Sequence, residues 1–342
     1  MKKRLLLLLI IFSSCFSFSC REKKAPVVEG FNGFAQGTTY SVLYVDEKNF
    51  DPDDLKSKVE KILKDFDMSL SLYIDSSILC RVNRNEDVKL DDFFIESFKK
   101  SAEISALTNG AFDITVGPLV RAWGFGPDER KNFTESKRDS LLKLVGMDKV
   151  RLEGRRLIKS DPAIQLDFNA IAQGYSVDII SRYLDDLGIK NHLVDIGGEV
   201  RGKGTKLGAD WRIGIDKPED NNFTSGENLE AVITISDESL ATSGNYRKFY
   251  IENGVKYSHT INPKTGYPAK NNLLSATILA SDCSTADGIA TACMVMGTEP
   301  SKKFIESHPS YLAYLIYSDQ DGNFRTWASP SLLERINELI PN

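Results

Sequence analysis

The stretch AIQLDFNAIAQGYSVDIISRYLDDLGIKNHLVDIGG, residues 163–198, passes from an alternating segment through a long amphipathic run into a β-rich region. AIQLDF alternates and predicts a short strand, and Asn169 can cap a helix from Ala170 to Leu187 that ends at Gly188. Beyond Gly188, β-rich segments dominate the chain. Long helices combined with hairpins predict an α+β fold, with mostly antiparallel sheets layered with helices.

Other periodic segments agree with this fold class. The further predicted elements are a strand at Thr38–Val45 and helices that open at DPDD (residues 51–54) and cover 91–107, 134–145 and 286–296. Asn253-Gly254 and Asp321-Gly322 predict two-residue hairpin turns.

The N-terminus has the pattern of an export signal. Three basic residues at positions 2–4 precede an apolar run, which is followed by small residues and cysteine. The apolar run is too short for a stable membrane span. We predict a lipoprotein signal peptide at 1–19, lipidation at Cys20, a tether at 20–32 and one domain at 33–342. Cys15 is the other candidate for lipidation, and a secreted protein without a lipid is the other interpretation. The prediction is an exported protein, lipid-anchored to a bacterial membrane and facing the periplasm.

Composition excludes some functions. The 342 residues carry a net charge of −5, and nucleic-acid binding requires a basic face, so we expect no nucleic-acid partner. After processing, Cys80, Cys283 and Cys293 remain, without CxxC or zinc-ligand spacing. We expect them to be small buried hydrophobic residues.

The run TNGAFDITVGPLVRAWGFG, residues 108–126, crowds glycines, aromatic residues and one acid, Asp113, without a regular period. Glycine allows close approach of a backbone to a ligand, Trp123 and Phe125 offer flat faces, and Asp113 offers a fixed acceptor. The run is typical either of an irregular connector or of a wall around a flat, polar-edged molecule.

The segment ADGIATACMVMG places Asp287 and Thr291 four residues apart, on one helix face. A carboxylate and a hydroxyl are oxygen ligands suited to Mg²⁺, which often completes its shell with water and phosphate. The alternative is an acid favoured by the helix dipole and a threonine bonded back to its own helix.

Three more segments have possible ligand-binding geometry. In LDFNAIAQG, Asp167 precedes a junction of small residues at a helix start, which can present backbone groups to a ligand or simply cap the helix. The Gly197-Gly198 and Ser243-Gly244 pairs lack the spacing of dinucleotide-binding and P-loop motifs, so neither mechanism is expected. In SHTINPKTGYP, His259 lies in a turn-rich polar loop and is a candidate general base, whereas His192 and His308 are predicted to be structural.

Taken in order, these blocks resemble the ApbE family of bacterial FAD:protein FMN transferases, over about residues 37–327. The resemblance implies an ApbE-like, T-fold-related α+β domain with FAD in a cleft. Implied FAD contacts are Gln36, Tyr73, Ala111, Phe112, Asp113, Asp167, Gln173 and Ile261. Implied Mg²⁺ ligands are the Ala170 carbonyl, Asp287 and Thr291, and His259 matches the proposed catalytic base. The sequence departs from the family at Gln36, where many members have methionine, at Gln173, where lysine or glutamate is frequent, and at Ala290, where some carry a second acid.

The resemblance implies Mg²⁺-dependent transfer of the FMN part of FAD to a threonine or serine hydroxyl of a client protein, with release of AMP. Implied partners are FAD and client flavoprotein subunits of membrane redox complexes. The alternatives are an FAD pyrophosphatase, which forms FMN and AMP, and a flavin-binding lipoprotein without turnover.

Overall fold

A computed structural model describes residues 26–125, 133–218, 226–245, 249–252 and 255–338. Its strands are β1 Val27–Ala35, β2 Thr38–Asp46, β3 Val150–Glu153, β4 Arg156–Lys159, β5 His192–Ile196, β6 Glu199–Lys203, β7 Trp211–Asp216, β8 Leu229–Ile235, β9 Glu238–Gly244, β10 Phe249–Glu252, β11 Val255–Ser258, β12 Leu273–Ala280, β13 Leu312–Ser318, β14 Phe324–Ala328 and β15 Ile336–Glu338. Its α-helices are α1 Pro52–Leu70, α2 Ile78–Asn83, α3 Asp92–Leu107, α4 Gly117–Ala122, α5 Glu135–Leu142, α6 Ala172–Asp186, α7 Cys283–Met296 and α8 Thr298–Ser307.

The central element is an eight-stranded sheet with the order β1-β2-β5-β6-β9-β12-β13-β14. Its strand pairs are antiparallel. A smaller sheet has the order β15-β8-β7, and β3-β4 and β10-β11 form two-stranded ribbons. Within the described ranges no sheet closes into a barrel. The predicted α+β class with mostly antiparallel sheets is therefore confirmed.

Alternating residues of the central sheet build two different cores. In β13, Ala313 and Leu315 pack with the helices, while Tyr314 and Ile316 pack with the small sheet. Because successive strand residues point to opposite faces, a single strand can supply both cores. The result is three layers: helices, central sheet and small sheet.

Helices α6 and α7 lie on the helical face and brace each other. Asp178 of α6 accepts hydrogen bonds from the Cys283 and Ser284 N–H groups at the start of α7, at 2.8 and 2.9 Å. In return, Asp287 of α7 accepts one from the Gly174 N–H in the first turn of α6, at 3.1 Å. Each helix thus satisfies backbone donors that the other leaves without an intrahelical acceptor.

Several predicted boundaries need correction. The tether predicted for 20–32 is wrong from Val27 onward, because β1 begins there and pairs with β2 along its whole length. Alternation of β1 is weak because most of its residues are exposed or half-buried, and this hid the strand. The predicted domain start at 33 therefore lies inside β1. Residues 1–25, with both candidate lipidation cysteines, lie outside the described part.

The strand predicted for AIQLDF is also wrong, since 163–168 forms no strand ladder. Instead Asn83 of α2 brackets this segment, donating to the Leu166 carbonyl at 2.9 Å and accepting from the Leu166 N–H at 2.8 Å. Helix α6 then begins at Ala172 and not at Ala170, and its N-cap position is Ile171, without a side-chain cap.

The remaining expectations have mixed outcomes. The strand at Thr38–Val45 and the later helices are confirmed, with α7 starting three residues before the predicted Ala286. The turn at Asp321-Gly322 is wrong as a two-residue hairpin, because a five-residue loop, 319–323, joins β13 to β14. Asn253-Gly254 lies outside the described residues. The three described cysteines are buried and free, as expected.

None of the helices in the described ranges is long and apolar enough to cross a membrane.

His192 is structural, as predicted. It is fully buried, and its Nε2 lies 2.7 Å from the Ser181 hydroxyl while its Nδ1 lies 3.0 Å from the Ile189 carbonyl. A carbonyl only accepts, so Nδ1 carries the proton and Nε2 accepts from Ser181. Burial lowers the pKa of His192 to about 4.

We predict that Gly174→Ala lowers the free energy of unfolding. An added Cβ would lie 2.5 Å from the Cys283 carbonyl oxygen and 2.8 Å from Asp287 Cβ, and backbone atoms cannot move away cheaply. Overpacking of this kind costs about 1–3 kcal/mol. Alanine gains only about 1 kcal/mol over glycine in helix propensity, so we expect a net loss of stability. Denaturant unfolding measures the change in the free energy of unfolding. Asp186→Ala on the exposed face of α6 is the control. Unchanged stability of Gly174→Ala would mean that the helices are not in tight contact.

We also predict a pH dependence from His192. Its folded pKa lies below the unfolded value, so folding favours the neutral form; the contribution is complete above about pH 6.5 and is lost as pH falls toward 4. The loss over that window is about 3 kcal/mol. Urea unfolding at several pH values, compared with His192→Gln, isolates it as a difference in slope. Parallel curves for the two proteins would contradict the assignment.

Candidate active site

One cleft of about 1090 Å³ opens between the helices, the central sheet and the loop that follows β11. The cleft is lined by all twelve residues predicted to contact FAD, to bind Mg²⁺ or to act as the base: Gln36, Tyr73, Ala111, Phe112, Asp113, Asp167, Ala170, Gln173, His259, Ile261, Asp287 and Thr291. These residues come from positions up to 255 apart in the chain. Their convergence is a property of the fold, and their individual roles remain predictions.

Asp287 and Thr291 lie on the α7 face toward the cleft, as their spacing predicts. Asp287 is buried, and burial raises the pKa of its carboxyl to about 7. The Thr291 hydroxyl lies 3.3 Å from the Ser243 hydroxyl at the end of β9. Thr291 therefore contacts the central sheet through Ser243, which the alternative of a threonine bonded only to its own helix does not include.

Ala170 lies in the turn just before α6, outside the helix, since α6 begins at Ala172. Its carbonyl is therefore not part of the regular helical ladder. Gly174, in the first turn of α6, donates its N–H to Asp287 Oδ2. Ala170 and Asp287 line the same cleft.

This donor set fits a magnesium ion better than a metal held by protein side chains alone. In the described part of the chain no three His, Cys, Asp or Glu residues cluster as a metal site. The predicted ligands are one carboxylate, one hydroxyl and one carbonyl, all hard oxygen donors. Mg²⁺ commonly binds through one or two carboxylates and completes its shell with water and substrate phosphate.

Asp113 is held rigidly in the irregular wall. Its Oδ1 accepts from the Thr115 N–H at 2.8 Å and the Thr115 hydroxyl at 2.6 Å, and that hydroxyl accepts from the Gly146 N–H at 2.7 Å. Burial raises the pKa of Asp113, while the bonds from Thr115 oppose the rise. Ala111 and Phe112 precede it and are buried at the cleft wall. The run is therefore a fixed wall and not a loose connector.

Asp167 lies beside this wall because its backbone is hydrogen-bonded to Ile114, the residue that follows Asp113. The Asp167 N–H donates to the Ile114 carbonyl at 2.8 Å, and its side chain accepts from the Asn169 N–H at 2.8 Å. Burial raises the pKa of Asp167, with Asn169 and the charge of Arg121 opposing the rise. Tyr73 stands at the mouth with 68% of its surface exposed, which leaves its ring face open to a flat ligand.

Ser176 connects Gln36 to helix α6. Its hydroxyl lies 2.8 Å from the backbone carbonyl of Gln173 in the same helix and 3.3 Å from Gln36 Oε1. Gln36 lies at the β1–β2 turn with φ +53°, followed by Gly37 with φ +75°, the backbone of a type I′ hairpin. This turn brings Gln36 into the cleft.

His259 is half-buried, follows β11 and lines the cleft with its ring 6.5 Å from that of Phe125. Of the two residues predicted to offer flat faces, Phe125 lines the cleft and Trp123 does not. It is buried behind it, and its Nε1–H donates to the Gly266 carbonyl at 2.8 Å. Trp123 therefore positions the loop that carries His259 and Ile261.

Sequence reasoning missed several residues that line the cleft or support its wall. Asn83, which fixes the segment before Asp167, has its partner 83 positions away, so no local pattern marks it. Asp67 of α1 lines the cleft, and burial raises the pKa of its carboxyl to about 6. The apolar stripe that predicted α1 indicates only which apolar residues are buried, so it did not mark Asp67 as a cleft residue. Strand β7 also lines the cleft along residues 212–216, and its sequence predicted only a strand.

Comparison with known proteins identifies relatives of the whole domain. The model of the ApbE family matches residues 36–316. An FAD:protein FMN transferase of Vibrio cholerae is 35% identical over 330 residues, covering 94% of this chain and 97% of the relative. One of Haemophilus influenzae is 35% identical over 334 residues, covering 94% and 95%.

Solved structures of flavin transferases also superpose on this chain. The flavin transferase ApbE from Vibrio cholerae superposes with a TM-score of 0.80 at 35% identity, covering 91% of this chain and 99% of that one. The apo form of the flavinyl transferase ApbE of Pseudomonas stutzeri gives 0.79 at 31% identity, covering 91% and 97%.

We predict that Trp123→Phe loosens the loop 259–268 while the fold persists. The ring is retained but the hydrogen bond to Gly266 is lost, which costs about 1 kcal/mol. Hydrogen exchange followed by mass spectrometry should show faster exchange in that loop. Trp211→Phe is the matched control, since it removes a comparable bond to the Lys203 carbonyl, 3.0 Å, at the β6–β7 connection. Equal exchange in 259–268 for both variants would refute the positioning role.

Proposed function

Since the chain belongs to the ApbE family, we propose that it is an FAD:protein FMN transferase that moves the FMN part of FAD to a threonine or serine hydroxyl of a client protein and releases AMP. The observation that carries the proposal is the single cleft in which all twelve predicted residues meet. A cleft of this size is large enough for a dinucleotide, since pockets for small molecules usually measure about 300–1,000 Å³.

The wall of the cleft would bind the flavin end. Asp113 and Asp167 are buried acceptors held by neighbouring N–H groups, so they are already oriented for donors on a polar ring edge. Ala111, Phe112 and Ile261 supply apolar surface around them, and Tyr73 supplies an exposed ring. Orientation fixed before binding reduces the entropy cost of placing the pyrophosphate.

Asp287, Thr291 and the Ala170 carbonyl would hold Mg²⁺ against the pyrophosphate. When bound, the ion neutralises charge on the phosphate oxygens and on the departing AMP. Burial, together with the negative charge of Asp178, raises the pKa of Asp287, and a bound cation would favour its ionised form. Gly174 orients the carboxylate through its N–H.

His259 would accept the proton of the client hydroxyl. The oxygen then forms a bond to the FMN-side phosphorus, and the bond from that phosphorus to the bridging oxygen breaks, so that AMP leaves with the bridging oxygen. An imidazole titrates close enough to neutral pH for this exchange. If water replaces the hydroxyl, the same residues produce FMN and AMP, which is the pyrophosphatase alternative.

The proposed setting is a bacterial membrane, with the protein anchored by lipidated Cys20 and facing the periplasm, and with membrane redox complexes as the source of clients. Its support is the sequence of residues 1–20. Globomycin-sensitive processing and labelling with a palmitate analogue, both lost in Cys20→Ala and retained in Cys15→Ala, would test it.

One assay tests the reaction. The detergent-solubilised full chain is incubated with FAD, MgCl₂ and a candidate client, followed by in-gel flavin fluorescence and AMP quantification. Fluorescence on the client together with AMP supports transfer, and AMP alone supports hydrolysis. If FAD binds but no AMP forms with any divalent metal, both enzyme assignments are refuted. The remaining interpretation is then a flavin-binding lipoprotein without turnover.

We predict that Asp287→Asn abolishes Mg²⁺-dependent AMP release while the fold remains stable. The amide oxygen can keep the Gly174 bond, and removal of a desolvated charge leaves the unfolding free energy equal or about 1 kcal/mol higher. Loss of the carboxylate should cost several kcal/mol of transition-state stabilisation, or at least about 100-fold in turnover.

Asp282→Asn is the matched control for this change. Asp282 caps the same helix through the Thr285 N–H and does not line the cleft, and asparagine caps helices equally well. Its turnover should equal that of the unchanged chain. Full Mg²⁺-dependent activity in Asp287→Asn would refute the metal assignment.

A further inference from the structure

The lining of the cleft also includes residues that were not predicted to contact the flavin, the metal or the client hydroxyl, and we call this part of the lining the second arm. Its wall consists of residues 212–216 of β7, Leu229 of β8, and Leu193 and Asp195 of β5. The glycines Gly197 and Gly198 lie in the cleft at the β5–β6 turn. A Cβ on Gly198 would meet no atom within 4 Å, so no side chain obstructs the cleft at that point.

Strand β7 presents its backbone edge to this arm. Five consecutive residues, 212–216, all line the cleft. Successive side chains of a strand point to opposite faces, so consecutive residues share one cavity when the edge of the strand faces it. In the order β15-β8-β7, β7 is terminal, and among the described residues no strand pairs with its second edge.

An edge of this kind displays unpaired N–H and C=O groups, which proteins usually protect with charge, proline or a covering segment. In β7 the centre is Gly214, which is exposed and has no side chain. Asp216, at the end, is buried and accepts from the Gly226 N–H at 2.8 Å. Trp211 and Ile215 anchor the strand in the core between the two sheets, so the edge is rigid.

We propose that the edge of β7 binds the acceptor segment of the client as an added antiparallel or parallel strand, which delivers its hydroxyl to His259. This inference rests on the proposed function. A row of alternating donors and acceptors matches a second polypeptide backbone and not a flavin or a nucleotide. Leu193, Ile213 and Leu229 provide apolar surface for alternate side chains of that segment.

The first test alters the substrate, so that enzyme folding is not in question. A mixture of 13-residue peptides with a central threonine and random flanks is incubated with the full chain, FAD and MgCl₂, and flavin-labelled peptides are isolated and sequenced. A labelled sequence is then resynthesised with single backbone N-methyl groups. Because each lost hydrogen bond reduces binding, kcat/KM for the peptide should fall about five- to tenfold at alternate positions and less than twofold between them.

The second test alters the enzyme. Leu193→Ala should raise KM for the peptide about five- to tenfold, with KM for FAD and AMP release without peptide unchanged. Leu312→Ala is the matched control, because Leu193 and Leu312 are both half-buried, both lie on the central sheet and both pack against the same core, but only Leu193 lines the cleft. The control should leave all three values unchanged.

Three results would overturn the proposal. N-methyl effects without a period of two would exclude an added strand. An increase in KM for FAD in Leu193→Ala would assign the second arm to FAD. AMP release with no peptide labelled in the mixture would show that an extended segment is not what the cleft accepts. Absence of AMP under all conditions would instead refute the proposed function, so the two failures are distinguishable.

Discussion

Helices α6 and α7 are held together by buried carboxylates that accept hydrogen bonds from backbone N–H groups of the opposite helix. Asp178 accepts two at the start of α7, and Asp287 accepts one from Gly174 in α6. Gly174 allows the helices to approach until a Cβ would collide with Cys283. Helix termini have donors without intrahelical partners, and this arrangement satisfies them inside the protein. The site depends on the same bonds, since the bond from Gly174 orients Asp287.

The wall opposite these helices is irregular and nevertheless fixed. Side chains replace the ladder that a strand would supply: Asn83 brackets Leu166, and the Lys159 ammonium lies 2.9 Å from the Ile164 carbonyl. The Asp167 N–H then donates to Ile114, which joins this segment to the run that contains Asp113. Two acids from distant parts of the chain are thereby held in one wall, Asp113 as the N-cap of a short 3₁₀ helix and Asp167 in a segment that forms no strand or helix.

The three-layer architecture explains how residues of the small sheet reach the cleft. The small sheet covers the outer face of the central sheet through Trp211, Ile215 and their partners, and it ends at β7. Residues of β7 line the same cleft as Gly197 and Gly198. A transferase must bring together two substrates, and one cleft lined by both sets of residues offers different surfaces for them.

The sequence by itself determined the α+β class, most helices, the strand at Thr38–Val45 and twelve residues that line the cleft. Periodicity reports burial directly, and short polar motifs are recognisable wherever they fold. Sequence patterns failed at β1, whose exposed residues mask the alternation, and at residues 163–168, where alternation was real but Asn83 replaced the expected strand partner. Only the tertiary structure decided how α6 and α7 pack, which backbone groups face the cleft and where β7 ends its sheet, because these depend on hydrogen bonds and contacts between residues far apart in the chain.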